Sequence, residues 1–291
     1  HRTLRDKQRS SLNETRMTWA KTSVRHSIQS TRLFLKKNLW AWPIVAVLVL
    51  SVVGFSIRSA IESTMRSSVQ SQLQTLLDVE VAMLQSWLKV QQSNAEAVAN
   101  SNETQNFVKQ LLEAVDPTNP MPQQLSTLMV HRELEKYLGP TMSTHRYVGF
   151  LVADKSRTIL SASNASMIGQ RDIPSYEKML DAALEGRSTV SSPFPSASSL
   201  KSSNGQYRTN MPTMYVVAPV RDDNFQIIAV LGLQMSPEEE FTKILQLGRL
   251  GESGETYAID RDAKMVSNSR FDTELMLLGL ISQENDTKSL L

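Results

Sequence analysis

Cysteine is absent from the 291 residues, so no disulfide staples the fold and no thiolate serves as nucleophile or metal ligand. Histidine is nearly as scarce, with His1, His26, His131 and His145 the only four, and no carboxylate arrangement with zinc-ligand spacing makes up for it. Gly248, Gly251 and Gly254 are not followed by Lys-Ser/Thr, and their spacing is not that of a kinase glycine loop. Gly251-Glu252-Ser253-Gly254 falls one residue short of a nucleophile elbow. His131-Arg132-Glu133 and His145-Arg146-Tyr147 begin like the kinase catalytic triplet but lack its Asp and the Asn downstream. This inventory argues against catalysis within these residues, and neither a metal nor a cofactor is expected.

One long apolar run is present. Residues 39–57 read LWAWPIVAVLVLSVVGFSI without a charge, enough to cross a hydrocarbon core of about 30 Å at about 1.5 Å per residue. Trp40 and Trp42 stand at its front edge, where indole rings favour the headgroup layer, and Pro43 falls in the first turn, where a missing N–H costs little. Of 31 basic and 29 acidic residues, 1–37 hold ten Lys or Arg against Asp6 and Glu14, leaving 21 basic and 27 acidic beyond. Positive flanks stay cytoplasmic, so the expected topology is a basic cytoplasmic tail (1–37), a membrane helix (38–58) and an extracytoplasmic remainder (59–291) in a cell (inner) membrane. The tail's dispersed charges and lack of an aromatic platform speak for anionic lipid as the partner and against nucleic acid. Because the first residue is His1, the chain reads as part of a longer reading frame.

Beyond the membrane run, Ile61, Met65, Val69, Leu73, Leu77, Val81, Leu84 and Leu88 recur at helical steps, and neither Gly nor Pro interrupts 58–116. A helix over 61–99 would be about 58 Å long. Its apolar face suits either a homodimer seam or packing on the chain's own domain. A second helix is expected over 103–115, ended by the Pro-rich run 116–122, and a third over 123–138, closed by Gly139-Pro140. Strands are expected at 147–154, 158–163, 188–192, 214–221 and 226–235, with a loop over 164–171 and a short helix over 176–185 between the second and third. Asp222-Asp223-Asn224 is a good hairpin turn. The order predicts an α+β fold, a PAS-like antiparallel sheet with helices on it.

The pattern then restarts. A helix over 238–247 is followed by ETYAIDRDAKMVSNS, which repeats the logic of GFLVADKSRTILSAS: apolar strand, Asp, polar turn, apolar strand, small polar residues. Strands at 255–260 and 263–267 are expected. The reading divides the chain into stalk and packing helices (59–116), a first module (117–245) and the start of a second, cut short at Leu291 (246–291).

Five pieces in order, the helix after the membrane, YVGFLVADKSRTILSAS, IGQRDIPSYEKMLDAALEGRSTVSSPF, MYVVAPVRDDNFQIIAVLGLQMS and GESGETYAIDRDAKMVSNSRF, resemble a double Cache sensor, the extracytoplasmic input of bacterial receptors, over about 58–291. The last piece is also similar to membrane-bound serine/threonine kinases of planctomycete-type bacteria. The resemblance implies a membrane-distal first module, a membrane-proximal second one, and a small-molecule ligand between the sheet and the loop–helix that caps it. In amino-acid-binding members an Arg followed by aromatic residues holds the carboxylate. The matching stretch here runs from Arg171 to Tyr176, without the paired Trp-Tyr spacing of that motif. Arg171 would clamp a carboxylate and Tyr176 close over it, with Tyr215 and Tyr147 as further candidates. Arg171 as a surface ion pair and Tyr176 as a core cap fit the same residues. Residues 196–212 form a long polar stretch in which Tyr207 and Arg208 could reach a ligand, although composition favours disorder. Three readings stay open: a sensing input, the front part of a receptor kinase or cyclase, and an interaction module with a filled core.

Overall fold

The computed structural model describes residues 41–114, 129–201, 207–248 and 251–281. The basic tail, the Pro-rich run 116–122, the beginning of the helix expected from 123 and the middle of the polar stretch, 202–206, lie outside the described residues. Two compact units are present, 1–72 and 73–291.

In the first unit the described residues belong to helix α1 (Ala41–Ala99), whose side chains from Trp42 to Gln72 are exposed throughout. From Trp42 it carries a window of mean hydropathy 2.3 with 0% of it buried, which makes it long and apolar enough to cross a membrane. Arg66 and Glu62 form an exposed i,i+4 pair at 3.2 Å on the polar stretch that follows.

The second unit is α+β. Helices α2 (Asn102–Ala114) and α3 (Met129–Thr144) precede strands β1 (Gly149–Asp154) and β2 (Ile159–Ala162). Helix α4 (Glu177–Leu184) follows, then β3 (Thr189–Val190), β4 (Phe194–Pro195), β5 (Leu200–Lys201), β6 (Tyr207–Arg208), β7 (Pro212–Arg221), β8 (Ile227–Met235), α5 (Phe241–Gln246) and α6 (Asp272–Leu277). The main sheet runs β2-β1-β8-β7-β3, every pairing antiparallel, with β4 also on β7. The two ends of the segment thus meet in the middle of the sheet, a PAS-like arrangement.

Alternation along the strands sorts side chains to two covered faces. Phe150, Val152, Val216, Leu231 and Leu233 pack with Ala95, Ala99, Leu111 and Leu138 from α1, α2 and α3. Leu151, Ala153, Tyr215, Val217 and Val230 point the other way, onto Ile168, Tyr176, Leu180 and Ala183 of the loop and α4, which cap that face. Asn100, just past the end of α1, donates to the Pro219 carbonyl at 3.2 Å and accepts from Arg221 N–H at 3.2 Å, so one amide pins α1 to β7. Ser101 caps α2 by accepting from Thr104 N–H.

Three expectations are corrected, and one further helix is present. Helix α3 does not stop at Gly139-Pro140 but continues to Thr144. Proline in a helix interior removes one hydrogen bond and is tolerated when packing compensates. Here Met142 packs on the core, and its carbonyl accepts from Tyr147 N–H at 2.9 Å. The polar stretch 196–212 is partly ordered: Leu200 and Lys201 pair with Arg208 and Tyr207, and Ser196 and Ser198 are buried. The strand pair expected at 255–260 and 263–267 is reduced to a single bridge between Ile259 and Met265, because a hairpin without a third strand is marginal. Helix α6, rich in apolar residues but short, was not anticipated.

The loops at 154–158, 222–226 and 260–264 are the same turn. In each, the leading Asp accepts from the N–H two and four residues on through Oδ1, at 2.8–2.9 Å. The fourth residue takes a positive φ, 63° at Arg157, 61° at Phe225 and 60° at Ala263. The repeat read between 149–163 and 255–269 is matched at this turn, yet β7–β8 uses the same device, so the turn marks hairpin chemistry and does not by itself mark a duplication.

Candidate ligand site under the cap

Sheet parity and the cap bring three aromatic rings together. Tyr176 stands at the N-cap of α4, Phe194 on β4 and Tyr215 on β7. The Tyr176 ring meets Phe194 edge-on at 5.1 Å between centroids and Tyr215 at 5.4 Å, while Phe194 and Tyr215 lie nearly parallel at 6.2 Å. Tyr215 is fixed through its backbone, which exchanges hydrogen bonds with Ser191: its N–H donates to Ser191 Oγ at 2.9 Å and its carbonyl accepts from Ser191 N–H at 2.8 Å. Beside it, Gly232 leaves room, since a Cβ there would stand 3.0 Å from Leu151 Cγ and 3.4 Å from Tyr215 Cδ1.

Tyr176 is 0% exposed, and its hydroxyl has no hydrogen-bond partner among the described residues. The Tyr215 and Ser196 hydroxyls and the Ala197 backbone face it without reaching hydrogen-bonding geometry. Burial pushes the Tyr176 phenol up, against a smaller opposite pull from those groups. Tyr215 is pushed well up, first by burial and then by Tyr176 beside it. Ser196 accepts from Ser198 N–H at 3.2 Å, and Gln234 donates to Thr213 Oγ1 at 2.8 Å on the same side of the sheet.

The other residues read from the sequence are elsewhere. Arg171 is exposed; its Nε donates to the Ser156 carbonyl at 2.8 Å, and Asp172 lies 3.7 Å away. Arg157, across from it on the β1–β2 turn, reaches Asp172 at 2.8 Å and Asp181 at 3.2 Å, and the two carboxylates raise its pKa further. Tyr147 belongs to the opposite, helix-covered face. Its hydroxyl donates to Gln91 Oε1 at 2.7 Å, and burial, with a smaller contribution from the Glu240 charge and an opposing one from Asn94, pushes its pKa up to about 12. Tyr207 is 73% exposed on β6. The structure thus joins Tyr176 with Tyr215 and separates Arg171, Tyr147 and Tyr207 from them. Phe194, Ser196 and Ser198 were not singled out from the sequence. Prolines on both sides of Phe194 are the one signal that marks an edge strand there. Among the described residues, no group of three or more His, Asp or Glu is arranged to hold a metal ion.

No family model matches the chain, and no curated protein does. Among solved structures the chain is similar to the sensor domain of the Vibrio cholerae histidine kinase DctB, with 18% identity and a TM-score of 0.40 over 64% of this chain and 59% of that one. The chain therefore spans a little under three fifths of that domain. It is also similar to the E. coli DcuS sensor domain (15% identity, TM-score 0.37, 56% of this chain and 95% of that one). A third likeness is to the sensory domain of the Campylobacter jejuni chemoreceptor Tlp3 with isoleucine bound (19% identity, TM-score 0.34, 70% of this chain and 75% of that one). The fold itself is defined by the chain's own strand order.

Proposed function

We propose that the chain is the extracytoplasmic small-molecule sensing input of a transmembrane receptor, with the ligand held between the sheet and the 164–184 cap. The observation that carries this reading is the Tyr176 hydroxyl, buried and without a partner among hydroxyls that do not satisfy it. An unsatisfied buried donor costs about 1–3 kcal/mol, and a ligand acceptor would remove that cost. The apolar window of α1 supports a membrane anchor, and the basic flank before it supports a cytoplasmic N-terminus in the inner membrane with residues 59–291 outside.

The same reading takes the chain as a double Cache input. The 251–271 run points to a serine/threonine kinase of the planctomycete type as the output, with a cyclase as the alternative. A homodimer through Ile61, Met65, Val69, Leu73 and Leu77 is part of it: all five are exposed, whereas Leu84, Trp87 and Ala95 pack on the sheet's own core. Tyr176 and Tyr215 carry ligand contact in this scheme, and Arg171 serves as a strap on the cap.

The mutual packing of the three rings favours one other reading, an interaction module with a filled core. A thermal-unfolding screen of the whole chain in detergent, against amino acids, organic acids and nucleobases, separates the two. A ligand at one hundred times its Kd adds about 2.7 kcal/mol to stability. The sensor reading expects at least one hit that Tyr215→Ala abolishes, and a blank across the whole screen favours the filled core.

A further inference from the structure

Among the described residues, the ion pairs on the cap lie on its water-exposed side. Arg157 divides its guanidinium between Asp172 and Asp181, and Arg171 spends its Nε on the Ser156 carbonyl. The side chains of Arg157, Arg171, Asp172 and Asp181 are each at least one third exposed, so they stay in contact with water. Inside, the groups nearest the Tyr176 hydroxyl are uncharged: the Tyr215 and Ser196 hydroxyls and the Ala197 backbone. The Tyr215 hydroxyl has its pKa raised by burial and by the Tyr176 phenol beside it. On the helix-covered face, by contrast, the Tyr147 hydroxyl does feel the Glu240 carboxylate.

We infer that this site takes an uncharged, ring-bearing small molecule, with a carbonyl or ring nitrogen accepting from the Tyr176 hydroxyl and its flat face against Phe194 and Tyr215. This rests on the sensor reading and narrows its ligand class, away from the carboxylate that Arg171 suits. A carboxylate brought beneath the cap would lose its water without meeting a cation among the described residues of the cluster, and the effective cost of an unpaired buried ion is several kcal/mol. An ammonium would gain from the ring faces, but the edge-on contact between Tyr176 and Phe194 already occupies one of them, and no described member of the cluster is a carboxylate that could pair with it. An uncharged ring meets neither cost. It exchanges ring–ring contacts of the same kind as those already present and supplies the acceptor that the Tyr176 O–H lacks.

The test uses matched pairs on the whole chain in detergent at neutral pH, read by intrinsic fluorescence during thermal unfolding. Nicotinamide is set against nicotinate and 1-methylnicotinamide, and uracil against orotate, with the amino-acid and organic-acid panel alongside. The inference expects the uncharged member of at least one set to raise the midpoint, with at least about tenfold tighter apparent binding than its charged counterpart. Tyr176→Phe, which removes only the hydroxyl, should weaken that binding, while Tyr147→Phe, on the opposite face of the sheet, should leave it unchanged. A charged member that stabilises as well as or better than its uncharged counterpart overturns the inference. So does a panel in which only amino acids or organic acids stabilise, and in both cases the sensor reading stands. A blank across uncharged and charged compounds alike overturns the sensor reading together with the inference.

Discussion

Arg157 and Asp181 lie 3.2 Å apart, joining the turn between β1 and β2 to the middle of α4. With Asp172 on the same guanidinium and Arg171 bonded back to the Ser156 carbonyl, turn and cap hold each other in both directions. Arg157 sits at a positive φ imposed by the Asp154 turn, which aims its side chain at the cap.

Replacing Arg157 by Gln should therefore loosen the cap while leaving the sheet intact. Hydrogen exchange should quicken at the amides of Ile168, Gly169 and Tyr176, and stay unchanged on β7 and β8. Because the pairs are partly exposed, raised salt should reproduce part of the effect in the unmodified chain. Equal exchange in Arg157→Gln and the parent would show that the cap is held by its apolar contacts alone.

Gly232 makes the floor on which Tyr215 rests. A methyl there would stand 3.0 Å from Leu151 Cγ, so Gly232→Ala should cost about 1–3 kcal/mol and shift the Tyr215 ring. Gly139→Ala is the control: it meets nothing within 4 Å inside a helix and should be neutral or stabilising. Denaturant unfolding of the two variants checks both signs.

Glu80 is 2% exposed, and among the described residues neither carboxylate oxygen has a hydrogen-bond partner where the two press on Gly248. A buried unpaired acid is worth less than an apolar side chain of its shape. Glu80→Met should accordingly raise stability by about 1–3 kcal/mol. A loss of stability in the same unfolding assay would mean that the Glu80 carboxylate does have a partner in solution.

The buried phenols set an alkaline limit. Tyr147 is shifted from 10.0 to about 12, and Tyr176 and Tyr215 are also raised. The folded state holds these protons longer than the unfolded chain, so their contribution is complete below pH 10 and falls as pH rises from 10 towards 12. The unfolding midpoint should drop over that interval, and Tyr147→Phe should make the drop shallower. A midpoint flat through the interval would contradict the burial of these rings.

Much of the sheet was legible because its strands are short apolar runs between polar turns: the hairpin through Asp222-Asp223-Asn224 was placed to within two residues at each strand. The faces were harder to read. Both sides of the sheet are covered, so β1 and β7 are buried along nearly their whole length and carry no polar alternation that tells the cap side from the helix side. That is why Tyr147 and Tyr215 looked equivalent in the sequence and lie on opposite faces. Arg171 and Tyr176, five positions apart, looked like one site, but positive φ at Asp172 and Ser175 turns the chain sharply between them. The extension of α3 past Pro140 depends on Met142 finding the core, a tertiary fact that local helix signals do not contain.

The most direct test of the central claim places fluorine on the tyrosines. The chain has six tyrosines, and 19F spectra of 3-fluorotyrosine-labelled whole chain can be assigned by single Phe substitutions. On titration with a stabilising compound from the thermal screen, the account predicts that the Tyr176 and Tyr215 resonances move together and saturate, while Tyr147 on the helix-covered face stays in place. Resonances of Tyr207 and Tyr257 moving alone, with Tyr176 and Tyr215 fixed, would put the ligand on the surface and contradict a site beneath the cap.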